Sequence, residues 1–227
     1  MRGVINAALP YKADIYFFTP FTVQGLRIYR NMTHRTKWSI DPNHTTIGFT
    51  VIHLMISGVK GCFGVFDGNI YTKGKDFSTA EAEFWIAAAS LDTGLKARDE
   101  HLVSVDFLDA AHYPQIHFIS ESITSSRVDC NHQLWGILTI KGISKNICLN
   151  LAFGGIQNDL EGNQKAGFTL TGTINRSDWG MTWNKAIDTG GLLVGEEIFI
   201  ACDIELIKSH QSLQATQLVP VADKNEY

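Results

Sequence analysis

From Thr45 onward apolar and polar residues alternate: Ile47, Phe49, Val51, His53 and Met55 fall on one side, with Thr46, Gly48 and Thr50 opposite. A period of two over this length predicts a half-buried strand, ended by Ser57-Gly58. The next run, Val59 to Thr72, changes parity around Gly64, which predicts a bulge that bends one long strand. Ala80 to Ser90 puts Ala82, Phe84, Ile86 and Ala88 on one face and Glu81, Glu83 and Trp85 on the other. Alternation is then lost from Lys96 to Leu108, where Leu95, Leu102 and Phe107 set against Arg98, Asp99 and Glu100 predict a short amphipathic helix, stopped by Tyr113-Pro114. Strands resume at Gln115 to Ser122, Gln133 to Ile140, Ile143 to Gly155 and Lys165 to Asn175. Arg176 to Trp183 reads as a turn or a single helical turn, and Glu196 to Ile207 alternates Ile198, Ile200, Cys202, Ile204 and Leu206 as the last strand.

Eight strands joined mainly by hairpins fit either a sandwich or an up-and-down barrel, and period alone does not choose. Glycines that curve strands, and a helix placed between the third and fourth strands where it can cover a mouth, favour the barrel. The predicted fold is therefore all-β: an eight-stranded antiparallel up-and-down barrel over residues 38–208 with short helices near the mouths. An N-terminal extension (1–37) precedes it and a flexible, polar C-terminal tail (209–227) follows.

Composition narrows the function. With 227 residues, 44% hydrophobic and 19% charged, the chain can build a sizeable core without staples. Its net charge of −4 gives no phosphate-neutralising surface, so nucleic acid is not an expected partner. Residues 1–37 carry six basic side chains and one acid, so the two parts differ in character. The apolar clusters there are interrupted by Asp14 and Pro20 and do not form a secretory core, and no stretch approaches the ~18 apolar residues of a membrane span. The expected compartment is cytoplasmic. Met32, just ahead of the first regular segment, offers an alternative translation start. Cys62, Cys130, Cys148 and Cys202 lie far apart with no paired ligand spacing, so free thiols and no metal are expected.

Several ordered blocks go further. Trp38-Ser39-Ile40-Asp41-Pro42-Asn43-His44 is followed by Gly48 to Met55, Ser90-Leu91-Asp92-Thr93, Arg98-Asp99-Glu100-His101-Leu102, Asp106 to Asp109, Tyr113 to Phe118, Gly136 to Gly142 and Asn175 to Met181. Together they resemble the YceI family of lipocalin-like, polyisoprenoid-binding proteins from Trp38 to about Ile207. The resemblance implies an extended lipocalin-type barrel enclosing a long apolar ligand, a homodimer, and commonly a bacterial periplasm, which stands as the alternative to the cytoplasm here. Ile52 departs from it, occupying a position often basic in the family.

An eight-residue strand spans roughly 26 Å at about 3.3 Å per residue, enough for an extended isoprenoid or fatty chain. The candidate lining is Phe49, Val51, Phe63, Phe66, Phe84, Ile86, Ala88, Phe118, Leu138, Phe168 and Ile200, with His53 and Trp183 included; for any one of them taken alone plain core is the first reading, and the parity of His53 reads first as a hydrogen-bonded core histidine. Arg98 and His101 on the short helix are candidates for a polar head, Arg98 alternatively pairing with Asp99 to cap the helix. Arg176, Trp179 and Trp183 are read as closing the end opposite that helix. The predicted partner is a long-chain amphipathic lipid (polyisoprenoid, isoprenoid quinone or fatty-acyl compound), carried or sequestered without a cofactor. No catalytic motif is found, and His112 and His117, five apart on extended chain, fall on opposite faces. The alternatives are a structural dimer module with a filled core and a lipocalin-like enzyme acting on an isoprenoid.

Overall fold

Backbone pairing follows the predicted period. The computed structural model describes residues 35–125, 132–188 and 190–209; the predicted N-terminal extension up to residue 34 and the predicted tail from residue 210 lie outside them. The strands are β1 (Arg35–Ile40), β2 (Thr46–His53), β3 (Ser57–Phe63), β4 (Phe66–Lys73), β5 (Asp76–Ala87), β6 (Leu91–Asp92), β7 (Gln115–Ser125), β8 (His132–Ile140), β9 (Ile143–Asn158), β10 (Gln164–Asn175) and β11 (Val194–Lys208). Helix α1 spans Lys96–Leu102, and 3-10 turns lie at Ala88–Ser90 and Arg176–Trp179.

All pairings are antiparallel, and short strands combine into longer staves. β1 and β2 lie end to end along one edge of β11, at Ile40↔Leu206 and Ile47↔Cys202. On their other side β1 pairs with β4 (Trp38↔Ile70) and β2 with β3 (Phe49↔Gly61). Counted this way the sheet has eight staves, and β1 closes it by bonding to both β4 and β11. The closed eight-strand barrel is the predicted fold, with β1 added ahead of the strand read from Thr45. Closure satisfies both backbone edges of β1 and removes a sheet edge that would otherwise pair with another chain. Call the upper end the one that carries α1, the β2–β3 hairpin and the turn after β10; the β4–β5 and β9–β10 turns lie at the lower end.

Where staves break, local chemistry holds the join. The predicted bend at Gly64 is a full interruption: Gly64 N–H donates to the Ser90 carbonyl (3.0 Å) and Val65 N–H to Ser90 Oγ (3.0 Å). The predicted helix to Leu108 ends after two turns at Leu102, because Ser104 Oγ donates to the His101 carbonyl (2.7 Å) and Leu108 N–H folds back onto the Leu102 carbonyl (3.0 Å). Between β1 and β2, Pro42 lacks a ladder donor, while Asp41 N–H bonds the Glu205 carbonyl (2.8 Å) across to β11.

Beside this join, Lys165 Nζ on β10 donates to the carboxylates of Asp41 and Glu205, the latter at 2.8 Å. The ammonium and the His44 ring hold the Asp41 carboxyl below its ordinary value of 3.8. A lowered carboxyl stabilises the fold above that ordinary value and loses its contribution as pH falls through the lowered one. Asp41→Asn should therefore cost about 1.5–3 kcal/mol near neutral pH, and the difference from wild type should shrink as the pH falls below the carboxyl's ordinary value of 3.8. Urea titrations at neutral pH and through a series of values descending below 3.8 check this; a difference that stays constant across the whole series contradicts the clamp.

The lower half of the barrel is filled. Trp38 (0% exposed), Ala166 (1%), Leu206 (2%) and Ile70 (3%) close it. Trp38 Nε1 donates to Thr72 Oγ1 (2.9 Å), and that hydroxyl donates to the Gly74 carbonyl (2.7 Å), so the buried indole keeps a partner. Below, Phe77 packs on Trp38 (ring centroids 5.1 Å apart), on Phe168 (4.9 Å) and on Phe153 (5.8 Å).

Candidate functional site: an apolar cavity in the upper barrel

The same inward parity continues up the staves, but there the side chains do not meet. They surround a partly open cavity of about 380 Å³. Its walls come from every stave, for example Phe49 and Val51 (β2), Phe66 (β4), Phe84 (β5), Leu138 (β8), Leu170 (β10) and Ile200 (β11). Phe49, Val51, Ile198 and Ile200 are only half-buried although they point inward, which is what a hollow interior requires. The lining residues exposed at the surface, Ile52 and Ala97, lie at the upper end.

Paired glycines and rings keep the centre empty. A Cβ placed on Gly61 would fall 2.8 Å from Cε1 of Phe49, its cross-strand neighbour. One on Gly68 would fall 2.9 Å from Cδ1 of Phe84, again directly opposite, and one on Gly136 2.7 Å from Cε2 of Phe118 on the adjacent β7. Each ring thus lies over a glycine on the next strand, flat against the wall rather than across the lumen.

Two histidines and two arginines reach the cavity: His53, His101, Arg98 and Arg176. Arg176 is 2% exposed and fully engaged, donating to the carbonyls of Gly195 (2.9 Å), Trp183 (2.9 Å) and Met181 and to Glu196 Oε1 (2.6 Å). It pins the segment after β10 onto the start of β11. Arg176→Met should leave those carbonyls and Glu196 unpaired, at about 3–5 kcal/mol. A Tm lowered by at least roughly 6 °C is the expected reading, and a melt within 1–2 °C of wild type contradicts the assignment.

Arg98 and Asp99 both hold Thr93 rather than each other. Arg98 Nε donates to Thr93 Oγ1 (2.7 Å) and Nη2 to the Thr93 carbonyl (2.8 Å), while Asp99 Oδ1 accepts from Thr93 N–H (3.0 Å) and its hydroxyl. Among the described residues no carboxylate lies within ion-pairing distance of Arg98. The capping ion pair considered from the sequence is replaced by this threonine bracket, leaving the guanidinium charge unpaired on the cavity wall. His101 Nε2 bonds Asp106 Oδ2 (2.9 Å), and its ring meets Trp183 edge-on (centroids 4.6 Å) and Phe107 (5.1 Å). Those contacts join α1 to the segment after β10. The His53 ring has no hydrogen-bond partner among the described residues and borders the cavity, so it is not the bonded core histidine that its parity suggested. Cys202, deep in the wall, has its thiol pushed up to about 11 by burial.

A family model described as a YceI-like domain matches residues 38–206. The chain belongs to the YceI-like family. A UPF0312 protein of Staphylococcus aureus strain MSSA476 is 37% identical over 164 residues, 72% of this chain and 92% of that one. Among solved structures, the YCEI protein of Campylobacter jejuni is similar at 30% identity with a TM-score of 0.59, over 70% of this chain and 90% of that one. Burkholderia cenocepacia BcnA (22% identity, TM-score 0.62, 73% and 98% coverage) shares the fold. So does a polyisoprenoid binding domain from Saccharophagus degradans (14%, 0.55, 76% and 98%).

In this YceI-like barrel thirteen of the fifteen residues predicted to line a site do surround the cavity: Phe49, Val51, His53, Phe63, Phe66, Phe84, Ile86, Arg98, His101, Phe118, Leu138, Trp183 and Ile200. Two stand elsewhere. Ala88 is buried (1% exposed) in the 3-10 turn, where its N–H bonds the Pro114 carbonyl (2.9 Å), because the strand ends at Ala87, three residues before the predicted Ser90. Phe168 has inward parity but lies one inward position below Leu170, in the aromatic cluster that fills the lower end. The predicted closure of the end opposite the helix is also corrected: Trp183 contacts His101 of α1, and Trp179 Nε1 donates to the Leu138 carbonyl (3.2 Å) near the top of β8. Both plugs therefore stand at the upper end. Wall residues that the prediction omits include Ile47, Leu170, Ile174, Ile198 and Ile204, on strands that the period locates, and Leu193, which sits in a segment without a period. Asp41, His44 and Glu205 form a trio of metal-type ligands, but Lys165 already bonds two of them. No helix among the described residues is long and apolar enough to cross a membrane.

Proposed function

We propose that this protein carries or sequesters a long-chain amphipathic lipid, with the chain inside the upper barrel and the polar head near Arg98, His53 and His101. The observation that supports it most directly is the contrast between the two halves: identical inward parity, a closed lower end, and an upper end hollow around about 380 Å³. A structural module alone calls for a filled barrel. The volume is at the low end of the ~300–1,000 Å³ range of ligand pockets and holds about a dozen groups of water size at about 30 Å³ each. About a dozen carbons are thus enclosed, and a longer polyisoprenoid, quinone tail or acyl chain extends through the open end. Burying that length gains roughly 10 kcal/mol before ordering costs, at about 0.8 kcal/mol per methylene. Chain length then contributes more than the head group, which the unpaired Arg98 favours when it is anionic or carries exposed oxygens.

The polyisoprenoid-binding domain of similar fold is consistent with this reading. Organic extraction of the purified protein followed by mass spectrometry tests it. One prenyl or acyl lipid per chain is the expected result. Repeated extracts without lipid, together with no saturable uptake of a fluorescent dodecanoyl probe, overturn it; turnover of an added isoprenoid replaces carriage with catalysis.

A further inference from the structure

The turn joining β2 to β3 is Leu54-Met55-Ile56, and these side chains are 36%, 68% and 83% exposed. Leu54 and Met55 adopt φ of +53° and +61°, a two-residue left-handed turn that asparagine and glycine ordinarily occupy. It is closed by Ile56 N–H to the His53 carbonyl (3.1 Å) and tied to its neighbour by Leu54 N–H to the Leu193 carbonyl (2.9 Å). Leu192 (45% exposed) and Ile52 (37%) extend the apolar surface on either side. Directly below, Ile52, His53, Leu193 and Val194 are cavity wall, so the exposed tip runs without interruption into the apolar interior.

We infer that this hairpin tip is a membrane-docking element that enters a lipid bilayer and brings the cavity mouth against it. The inference rests on the lipid-carrier reading and adds where the ligand is collected. A chain whose burial is worth so much has little free concentration in water and resides in a bilayer. The tip is convex and only a few residues wide, whereas a stable protein interface needs about 20–30 residues a side. Its size suits shallow insertion at the headgroup and acyl boundary instead. A turn that keeps large apolar residues where Asn-Gly would sit with less strain is explained by such a use.

The test uses the full chain, phosphatidylcholine vesicles and flotation. Wild type is expected to float with vesicles, and Met55→Ser/Ile56→Ser to lose at least about ten-fold in partitioning, as two aliphatic side chains no longer leave water. A second variant, Leu54→Asn/Met55→Gly, removes apolar surface while relaxing the turn; it should keep or raise the Tm and still lose partitioning. In parallel, equilibrium uptake of a dodecanoyl probe added from solution should be unchanged in both variants, while its transfer from vesicles slows by a similar factor. Equal flotation of wild type and variants overturns the inference, even when solution uptake shows that the cavity reading stands. So does self-association that both variants abolish, which would make the tip a contact between copies. Absence of solution uptake in wild type instead removes the carrier reading on which the inference rests.

Discussion

Gly61→Val should lower the affinity for a saturated or prenyl chain by about fifty-fold while leaving the barrel closed. The reason is steric: a Cβ at residue 61 falls 2.8 Å from Phe49 Cε1 and 2.9 Å from Thr93 Cγ2. Thr93 is held by Arg98 and Asp99, so the ring is the partner that moves, and the direction open to it is the lumen. A ring swung inward takes the space of about three methylenes, each worth about 0.8 kcal/mol, hence the estimate. The coupling is checked with a double-mutant cycle. In a Phe49→Ala background no ring remains to be displaced, and adding Gly61→Val should change affinity less than about three-fold. Titration of a fluorescent dodecanoyl probe supplies both numbers. Equal losses with and without Phe49 would mean that Gly61 acts through the β2–β3 pairing and not through the cavity.

The pairing of rings with glycines also shows how far sequence alone reaches. Period two exposed the inward positions, and the eight staves followed because each run was long enough to alternate several times. Gly61, Gly68 and Gly136 were visible as residues that weaken strands, but their function depends on which strand lies alongside, and register is a tertiary property. The same limit explains Phe168. Its parity is that of Leu170, and only its level along the barrel axis separates a floor residue from a wall residue. Met55 shows a third kind of limit. Its alternation with His53 continues smoothly, yet the chain has already turned, since no proline, glycine or asparagine marks the left-handed pair at Leu54 and Met55. Trp183 was placed at the wrong end because the segment after Trp179 has no period, and it folds back over α1 through ring contacts that spacing does not encode.

The floor offers the second large effect. Phe168 pairs across the sheet with Ile204 and Phe153, and its ring packs on Phe77 at 4.9 Å and on Phe153 at 5.1 Å. Leu170, the next inward residue above it, and Ile204 are already cavity wall. Phe168→Ala should therefore cost about 3 kcal/mol, the lower part of the range for a ring removed from a core, because the site is half-buried. At about 2–4 °C per kcal/mol the Tm should fall roughly 6–12 °C. The vacated space adjoins the cavity from below, so the variant should bind longer chains better than wild type does. Across a series of alkyl probes wild-type affinity should level off once the lumen is filled, and the variant's plateau should move out by about three to four carbons, adding roughly 2–3 kcal/mol for the longest probes. Those same probes should return part of the lost Tm, as a ligand selective for the folded state must. A variant with the lowered Tm but an unmoved plateau would show that the rings of Trp38, Phe77 and Phe153 collapse into the gap, and that chain length is set above the floor and not by it.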